Sequence, residues 1–356
     1  MRTQLQHWNW MGSKRDSWAP FNANLVANMQ QHSWDQVKKL KLSRYCDEYT
    51  LNDRFVSHMR LLKLLSIIPV LVCTSAAVLA DGGEAGISLW EAHDPGLQKI
   101  LNQTLDRLHL KDAVARNELA VTLVDISDLS EPRVADANGN HMMYAASLPK
   151  IAILLAACVE IERGALKLTP ELQESMTRMI RNSSNADATA VLNLVGKRRV
   201  NAILQDDRFR LYDPQVDGGL WVGKEYAQGV AFQRDPLHNI SHGATATQVA
   251  RFYYMLETGQ LVNPELTAVM KEILSRPAIQ HKFVKGLAGQ QVEMYRKSGT
   301  WHQFHADSAL IEGDGFRYIL VALAENPAGG QWLVQLPRML HRQIAPQRLA
   351  LNATNR

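Results

Sequence analysis

From residue 95 onward the apolar positions alternate between a helical and an extended register. Leu97, Ile100, Leu101, Leu105 and Leu108 recur at helical spacing behind Asp94-Pro95, a start signal, and predict a helix over about 95–110. "LAVTLVDIS" (119–127) is an unbroken apolar run of strand length, and a shorter strand near Arg133 to Asp136 leads into the turn "NGN". "HMMYAASLPKIAILLAA" (141–157) then opens an apolar helix predicted over 147–163, with Gly164 as its stop. A helix from Thr169-Pro170 to about Arg181 follows, then two short ones in "NADATAVLNLVG" and "RRVNAILQDD". Residues 208–243 lose both periods and read as a long Gly- and Asp-rich loop, which Leu220, Trp221, Val222, Tyr226 and Phe232 mark as ordered. Two helices ("TATQVARFYYMLETG", "NPELTAVMKEILSR"), three strands ("VEMYRKSGT", "HADSALIEG", "FRYILVALAE") and a helix at about 330–344 complete the chain. Strands at both ends with helices between predict one sheet closed by terminal pieces around a helical middle.

The first 80 residues are of another kind. From Met59 a short basic start (Arg60, Lys63) precedes an uncharged run from Leu64 to Ala80, ending in Val-Leu-Ala before Asp81. Those are the parts of a secretory signal peptide. The run holds a central Pro69 and falls short of the roughly 20 residues a membrane span needs, so no stable span is expected after cleavage. Cleavage after Ala80 would leave 81–356 as the exported domain, periplasmic or secreted. Residues 1–58, which hold four of the eight tryptophans, read as an extension placed by a start codon assigned upstream of Met59. The rival reading is a cytoplasmic tail on an uncleaved anchor.

Charge removes one class of partner. The net charge of +4 comes from the first 80 residues, with ten Lys/Arg against five Asp/Glu; the remainder carries 29 against 30. A body near neutrality gives no electrostatic case for nucleic acid. Past Ala80 the lone cysteine, Cys158, has no partner for an intramolecular disulfide and sits in an apolar helix as a buried thiol. No H-E-x-x-H, no zinc-spaced cysteine pair and no phosphate-cradling glycine loop occurs, so no metal and no cofactor is implied.

Chemistry enters at Ser147 and Lys150. Side chains three apart on a helix are neighbours, and the surrounding Leu, Ile and Ala would desolvate the lysine toward a neutral amine able to take a serine proton. A lone S-x-x-K is a weak signal, since a helix start beside an ordinary lysine looks the same. Two further motifs change that: "SSN" (Ser183, Ser184, Asn185) between two helices, and "KSGT" (Lys297 to Thr300) at a strand end. Singly, Ser183 and Asn185 read as helix caps and Lys297 as a solvated strand lysine. A capping explanation for one does not predict the other two. Each occurs once, in order and in context.

Residues of about 95–345 therefore resemble the serine β-lactamase and penicillin-binding protein superfamily, closest to class A, whose signature is this set of motifs. "HGATATQVARFYYMLETGQL" is similar to the class A helix after the active-site loop. The resemblance implies an α+β fold: a five-stranded antiparallel sheet flanked by helices, plus an all-helical lobe, with the site between. It implies Ser147 as nucleophile and Lys150 as its activating partner. Ser183 would pass a proton to the leaving nitrogen, and Asn185 would bind the substrate's amide side chain. Lys297 would supply positive charge near the substrate carboxylate, which Ser298 and Thr300 would hydrogen-bond. The backbone N–H groups of Ser147 and Thr300 would hold the oxyanion, and Gly299 would let the strand edge approach the substrate.

Two departures from class A bear on turnover. The 208–243 loop lacks the E-x-x-L-N pattern whose glutamate positions the deacylating water. Asp217, before Gly218-Gly219, is the carboxylate best placed by count for that role, against the ordinary reading of a turn residue; Lys224 is a second loop residue that could face the cleft. Ser147 and Ser183 are also 36 residues apart, fewer than class A uses, which opens one rim of the cleft. His302 and His305 either replace carboxylate-binding groups on the strand edge or are surface histidines. Three functions stand: a monomeric serine hydrolase of small-molecule β-lactams, a D-alanyl peptidase or transpeptidase acting on peptidoglycan peptides, or an idle fold that binds wall peptides.

Overall fold

The computed structural model describes residues 89–354, so the extension expected at 1–58 and the signal expected at 59–80 lie outside the described residues. Helix α1 (Pro95–Arg107) starts where Asp94 accepts a hydrogen bond from Leu97 N at 2.6 Å, with Pro95 supplying the first-turn geometry. A short α2 (Lys111–Ala115), which the apolar spacing does not reveal, turns the chain into β1 (Leu119–Asp125) and β2 (Arg133–Ala137). Strand β3 (Met143–Tyr144) leads into the Ser147 turn and α3 (Lys150–Glu162). Then come α4 (Pro170–Arg181), capped by Thr169, α5 (Asn185–Val195), capped by Ser184, and α6 (Lys197–Leu204).

The expected long loop is partly regular. It contains β4 (Tyr212–Asp213), β5 (Gly218–Gly219) and β6 (Trp221–Val222), and runs into β7 (His242–Ala244). Two-residue strands give no alternation long enough to read from sequence. Next are α7 (Ala246–Glu257), α8 (Pro264–Leu274), α9 (Phe283–Gly286), β8 (Glu293–Trp301), β9 (Phe304–Gly313), β10 (Phe316–Glu325) and α10 (Gly329–Thr354), the last running past the expected 344. Among the described residues no helix is long and apolar enough to cross a membrane.

The five long strands form one antiparallel sheet in the order β2-β1-β10-β9-β8. Both faces of its centre are covered. Leu119, Val121, Leu123 and Leu320 pack with Leu97 and Leu101 of α1 and Leu336 and Leu340 of α10. Ala120, Val124, Ile319 and Val321 face the helical lobe with α3 and α7. Burial on both faces explains why β1 and β10 are unbroken apolar runs, each fully buried Leu or Val contributing about 1.5–3 kcal/mol. Helix α3 is buried from Lys150 to Glu160, which fits its apolar residues on every side. Strand β8 is the sheet edge, and that edge meets the Ser147 turn.

Candidate active site

Ser147 lies one turn ahead of α3 rather than within it. Pro149 stands at the N-cap, and α3 begins at Lys150. Proline disfavours helical backbone in the residue before it, which ends the helix there. The turn closes by Leu148 N donating to Ala145 O at 3.0 Å and Lys150 N to Ser147 O at 3.3 Å. Ala146 is held at φ 51°, in the left-handed region that side chains rarely adopt. The sheet edge lies close against this turn: a Cβ on Gly299 would fall 2.2 Å from Ala145 O and 2.8 Å from Ser147 N. Only glycine lets β8 sit against this turn. Ser147, Asn185 and Thr300 line a cavity of about 710 Å³, walled also by Tyr144, Tyr226, His242 and Phe304. A larger cavity of about 910 Å³ lies at the other end of β8, by Met294 and Tyr295, and none of the three motifs lines it.

Behind Ser147 two lysines converge on one hydroxyl. Lys150 Nζ donates to Ser183 O at 2.6 Å, to Asn185 Oδ1 at 2.8 Å and more weakly to Ser183 Oγ at 3.4 Å. Lys297 Nζ donates to Ser183 Oγ at 3.0 Å and to Ser298 O at 2.6 Å. Ser183, at φ 56°, is thereby pinned between two motifs 33 and 114 residues away in sequence. Among the described residues the hydrogen-bond partners of Lys150 Nζ are Ser183 and Asn185, not Ser147. Burial lowers the Lys150 ammonium to about 7, and lowers Lys297 well below the ordinary lysine range, with the neighbouring Lys150 charge adding to the effect. An amine titrating near neutrality, beside a hydroxyl that a second cation holds, is equipped to accept and return a proton. Ser298 is buried in β8 beside this pair.

A third buried lysine, which no local pattern announces, stands behind the strand edge. Lys282 Nζ donates to Gly299 O at 2.5 Å, Thr300 Oγ1 at 2.8 Å and Ala306 O at 3.0 Å. An ammonium only donates, so the Thr300 hydroxyl must spend its own proton elsewhere, toward an acceptor such as a carboxylate. Burial lowers Lys282 to about 8, while Asp307 opposes the shift. Asp307 is in turn gripped by Arg296 through two bonds of 2.8 Å, and Arg296 also holds Ile279 O and His281 O. Only the β8–β9 pairing and the 276–282 connection bring these residues together, and so sequence spacing hides them.

The loop side of the cavity is aromatic. The Tyr226 ring lies under Lys150 Nζ at 4.5 Å, and its hydroxyl donates to Ala146 O at 3.4 Å. His242 packs on Tyr226 with ring centroids 4.3 Å apart. Its Nε2 bonds Lys224 O at 3.0 Å, and burial lowers the imidazole to about 4. Lys224 lines the cavity. Asp217 is not brought to it. Asp217 sits at φ 63°, pairs with His238 Nε2 at 2.9 Å and accepts from Met142 N at 3.3 Å. Glu225, the carboxylate among the cavity residues, is paired with Lys197 at 2.6 Å. His302 is exposed in the β8–β9 turn and His305 packs beside Gly329 and Gly330; neither lines the cavity.

A profile described as the beta-lactamase enzyme family matches residues 168–345. The chain belongs to that family. The matched span holds Ser183–Asn185 and Lys297–Thr300, while Ser147 and Lys150 lie ahead of it. Solved structures agree on the fold. PBP-A superposes with a TM-score of 0.53 at 16% identity, over 70% of this chain and 96% of that one. A beta-lactamase from Sphaerobacter thermophilus gives 0.52 at 18%, over 65% and 95%. A class A beta-lactamase from Bacteroides cellulosilyticus gives 0.54 at 14%, over 69% and 97%. No curated protein matches the chain. The expected α+β architecture, a five-stranded antiparallel sheet with flanking helices, is the one found.

Within the beta-lactamase family frame, the site residues that sequence reasoning missed are Lys282, Tyr226 and His242. The last two did carry a faint signal. Apolar and aromatic residues in a loop otherwise rich in Gly and Asp mark the segment as packed against something.

Proposed function

We propose that this protein is an exported serine hydrolase that is acylated at Ser147 by a β-lactam or a D-alanyl-type amide. Ser147 Oγ adds to the carbonyl carbon as its proton passes to the neutral amine of Lys150. The negative oxygen is held by the backbone N–H groups of Ser147 and Thr300. As the C–N bond breaks, Ser183 gives its proton to the leaving nitrogen and regains one from Lys150. Lys297 keeps Ser183 oriented, Asn185 meets the substrate's amide side chain, and Ser298 and Thr300 meet its carboxylate. The observation that carries this reading is the Ser183 hydroxyl held by Lys297 at 3.0 Å and by Lys150 at 3.4 Å, beside the cavity that Ser147 lines. Two lysines with lowered pKa on one hydroxyl suit proton transfer.

The proposed organisation is a signal at 59–80, an extension at 1–58 and a monomeric domain over 81–356. A second reading, a peptidase or transpeptidase acting on peptidoglycan, is favoured by one observation: Tyr226, not a carboxylate, faces Lys150. The test is the intact mass of the 81–356 protein followed in time after mixing with a penicillin. An adduct that Ser147→Ala abolishes is expected, its decay separating hydrolase from peptidase. No adduct with penicillin, or with a D-alanyl ester, at any time sinks the acylation reading and leaves the peptide-binding fold.

A further inference from the structure

The cavity contains a neutral base that the acylation step does not use. His242 is the first residue of β7, and its backbone carbonyl accepts from Ala145 N at 2.9 Å, two residues before Ser147. His242 lines the same cavity as Ser147. A carbonyl oxygen only accepts, so the 3.0 Å contact between Nε2 and Lys224 O places the ring proton on Nε2 and leaves Nδ1 with its lone pair. The face of Tyr226 fixes the plane of the ring. Ser241 Oγ, also in the cavity wall, lies 3.4 Å from Nδ1, at the limit of a hydrogen bond and in reach of donating to it. This is a base, an orienting acceptor and a relay hydroxyl, the arrangement that nucleophile activation requires.

The alternatives in the cavity wall are each committed elsewhere. Glu225 is held by Lys197, Lys224 offers a cation, and Tyr226 is a phenol whose ionisation burial opposes. Asp217 lies outside the cavity with His238.

Resting on the acylation reading above, we propose that His242 is the general base of deacylation, acting through Nδ1 directly or through the Ser241 hydroxyl. As the oxygen of an entering water bonds to the acyl carbon, one water proton moves to His242 Nδ1. When the ester C–O bond breaks, that proton returns to Ser147 Oγ, so the acid product and the free serine are both accounted for. A loop that brings no carboxylate to Lys150 thereby still supplies a water-activating group, from β7.

The experiment measures acylation and deacylation separately, by stopped-flow and intact mass with a penicillin, in the unsubstituted protein, His242→Gln and His242→Gly. Glutamine can place an amide N–H where Nε2 donates to Lys224 O but has no basic nitrogen. For His242→Gln the expected result is acylation within about threefold of the unsubstituted protein and deacylation slower by about 100-fold or more, with the adduct accumulating. Added imidazole should speed deacylation of His242→Gly and leave acylation alone. Deacylation at the unsubstituted rate in His242→Gln overturns the inference and leaves the acylation reading standing, as does an adduct that never decays in the unsubstituted protein. Loss of acylation in both variants, with no recovery by imidazole, also overturns it, since His242 is then part of the scaffold. If the unsubstituted protein forms no adduct, the acylation reading itself fails first.

Discussion

The two walls of the cavity are built on different principles. The wall formed by α3, α5 and β8 is polar and cationic, with Lys150, Lys297 and Lys282 each donating to oxygens of Ser183, Asn185, Gly299 or Thr300. The opposite wall, from the 208–243 segment and β7, is aromatic where it meets Lys150: Tyr226 and His242 pack with their rings tilted and centroids 4.3 Å apart, and Tyr144 packs edge-on to His242 at 6.2 Å. On the acylation reading proposed above, the first wall serves the charge that develops on an acyl substrate. The second offers one neutral ring nitrogen, that of His242. Formation and breakdown of an acyl-enzyme make these separate demands, and a protein can keep one while rebuilding the other.

The comparison is tested most severely at Lys150, the group in contact with both walls. Lys150→Met should slow acylation by about 100- to 10,000-fold, the usual worth of a general base. In the unsubstituted protein the acylation rate should rise as pH passes about 7, where Lys150 loses its proton, and the variant should lack that rise. Stability should move the other way. A lysine whose folded pKa lies below its unfolded value binds fewer protons when folded, so stability increases with pH between about 7 and 10.5, and the full penalty applies below 7. Lys150→Met lacks this term but strands Ser183 O and Asn185 Oδ1, at about 1–3 kcal/mol each. Urea unfolding at pH 6 and pH 10 separates the two: the variant should gain a few kcal/mol relative to the unsubstituted protein at the lower pH. A pH-independent difference would mean Lys150 is not desolvated as its burial implies.

The next test acts on the polar wall alone. A methyl on Gly299 would meet Ala145 O and Ser147 N inside contact distance, so the Ser147 turn and the β8 edge cannot both keep their places. Gly299→Ala should therefore displace the backbone N–H of Thr300 or Ser147 and slow acylation by about 100- to 1,000-fold, the cost of one oxyanion donor. Decay of any adduct that still forms should change less than acylation does. Measuring both steps on one sample decides it, and equal losses in the two would show that the walls do not act separately.

The same division governs what could be read from the sequence. Apart from Lys282, the residues of the polar wall were nameable from sequence because they sit in short contiguous strings, S-x-x-K, SSN and KSGT, whose spacing encodes a helix start, an inter-helix loop and a strand end. The sheet was legible too, since β1 and β10 are apolar throughout. Ser147 as a helical neighbour of Lys150 was the wrong local picture, because Pro149 holds the serine outside the helix. Lys282 and the Arg296–Asp307 pair were hidden by contacts that only tertiary pairing creates. The aromatic wall was hidden for another reason: its strands are two or three residues long, and counting along a loop gives no direction in space.

Asp217 is where that limit has the clearest consequence, and its substitution is the smallest effect predicted. Counting along the loop selected it as the carboxylate for a deacylating water. In the fold it occupies a left-handed position, pairs with His238 where both side chains are partly exposed, and does not line the cavity. Asparagine tolerates that backbone and keeps an oxygen for Met142 N, so Asp217→Asn removes only the charge. A polar contact this exposed is worth about 0–1 kcal/mol. Asp217→Asn should leave acylation and deacylation within about twofold and shift the thermal midpoint by no more than a few degrees. A selective loss of deacylation beyond about tenfold would reverse the picture of the aromatic wall. It would mean that the loop swings Asp217 inward once Ser147 is acylated, and that the neutral ring of His242 serves the loop's packing and leaves the chemistry to the carboxylate.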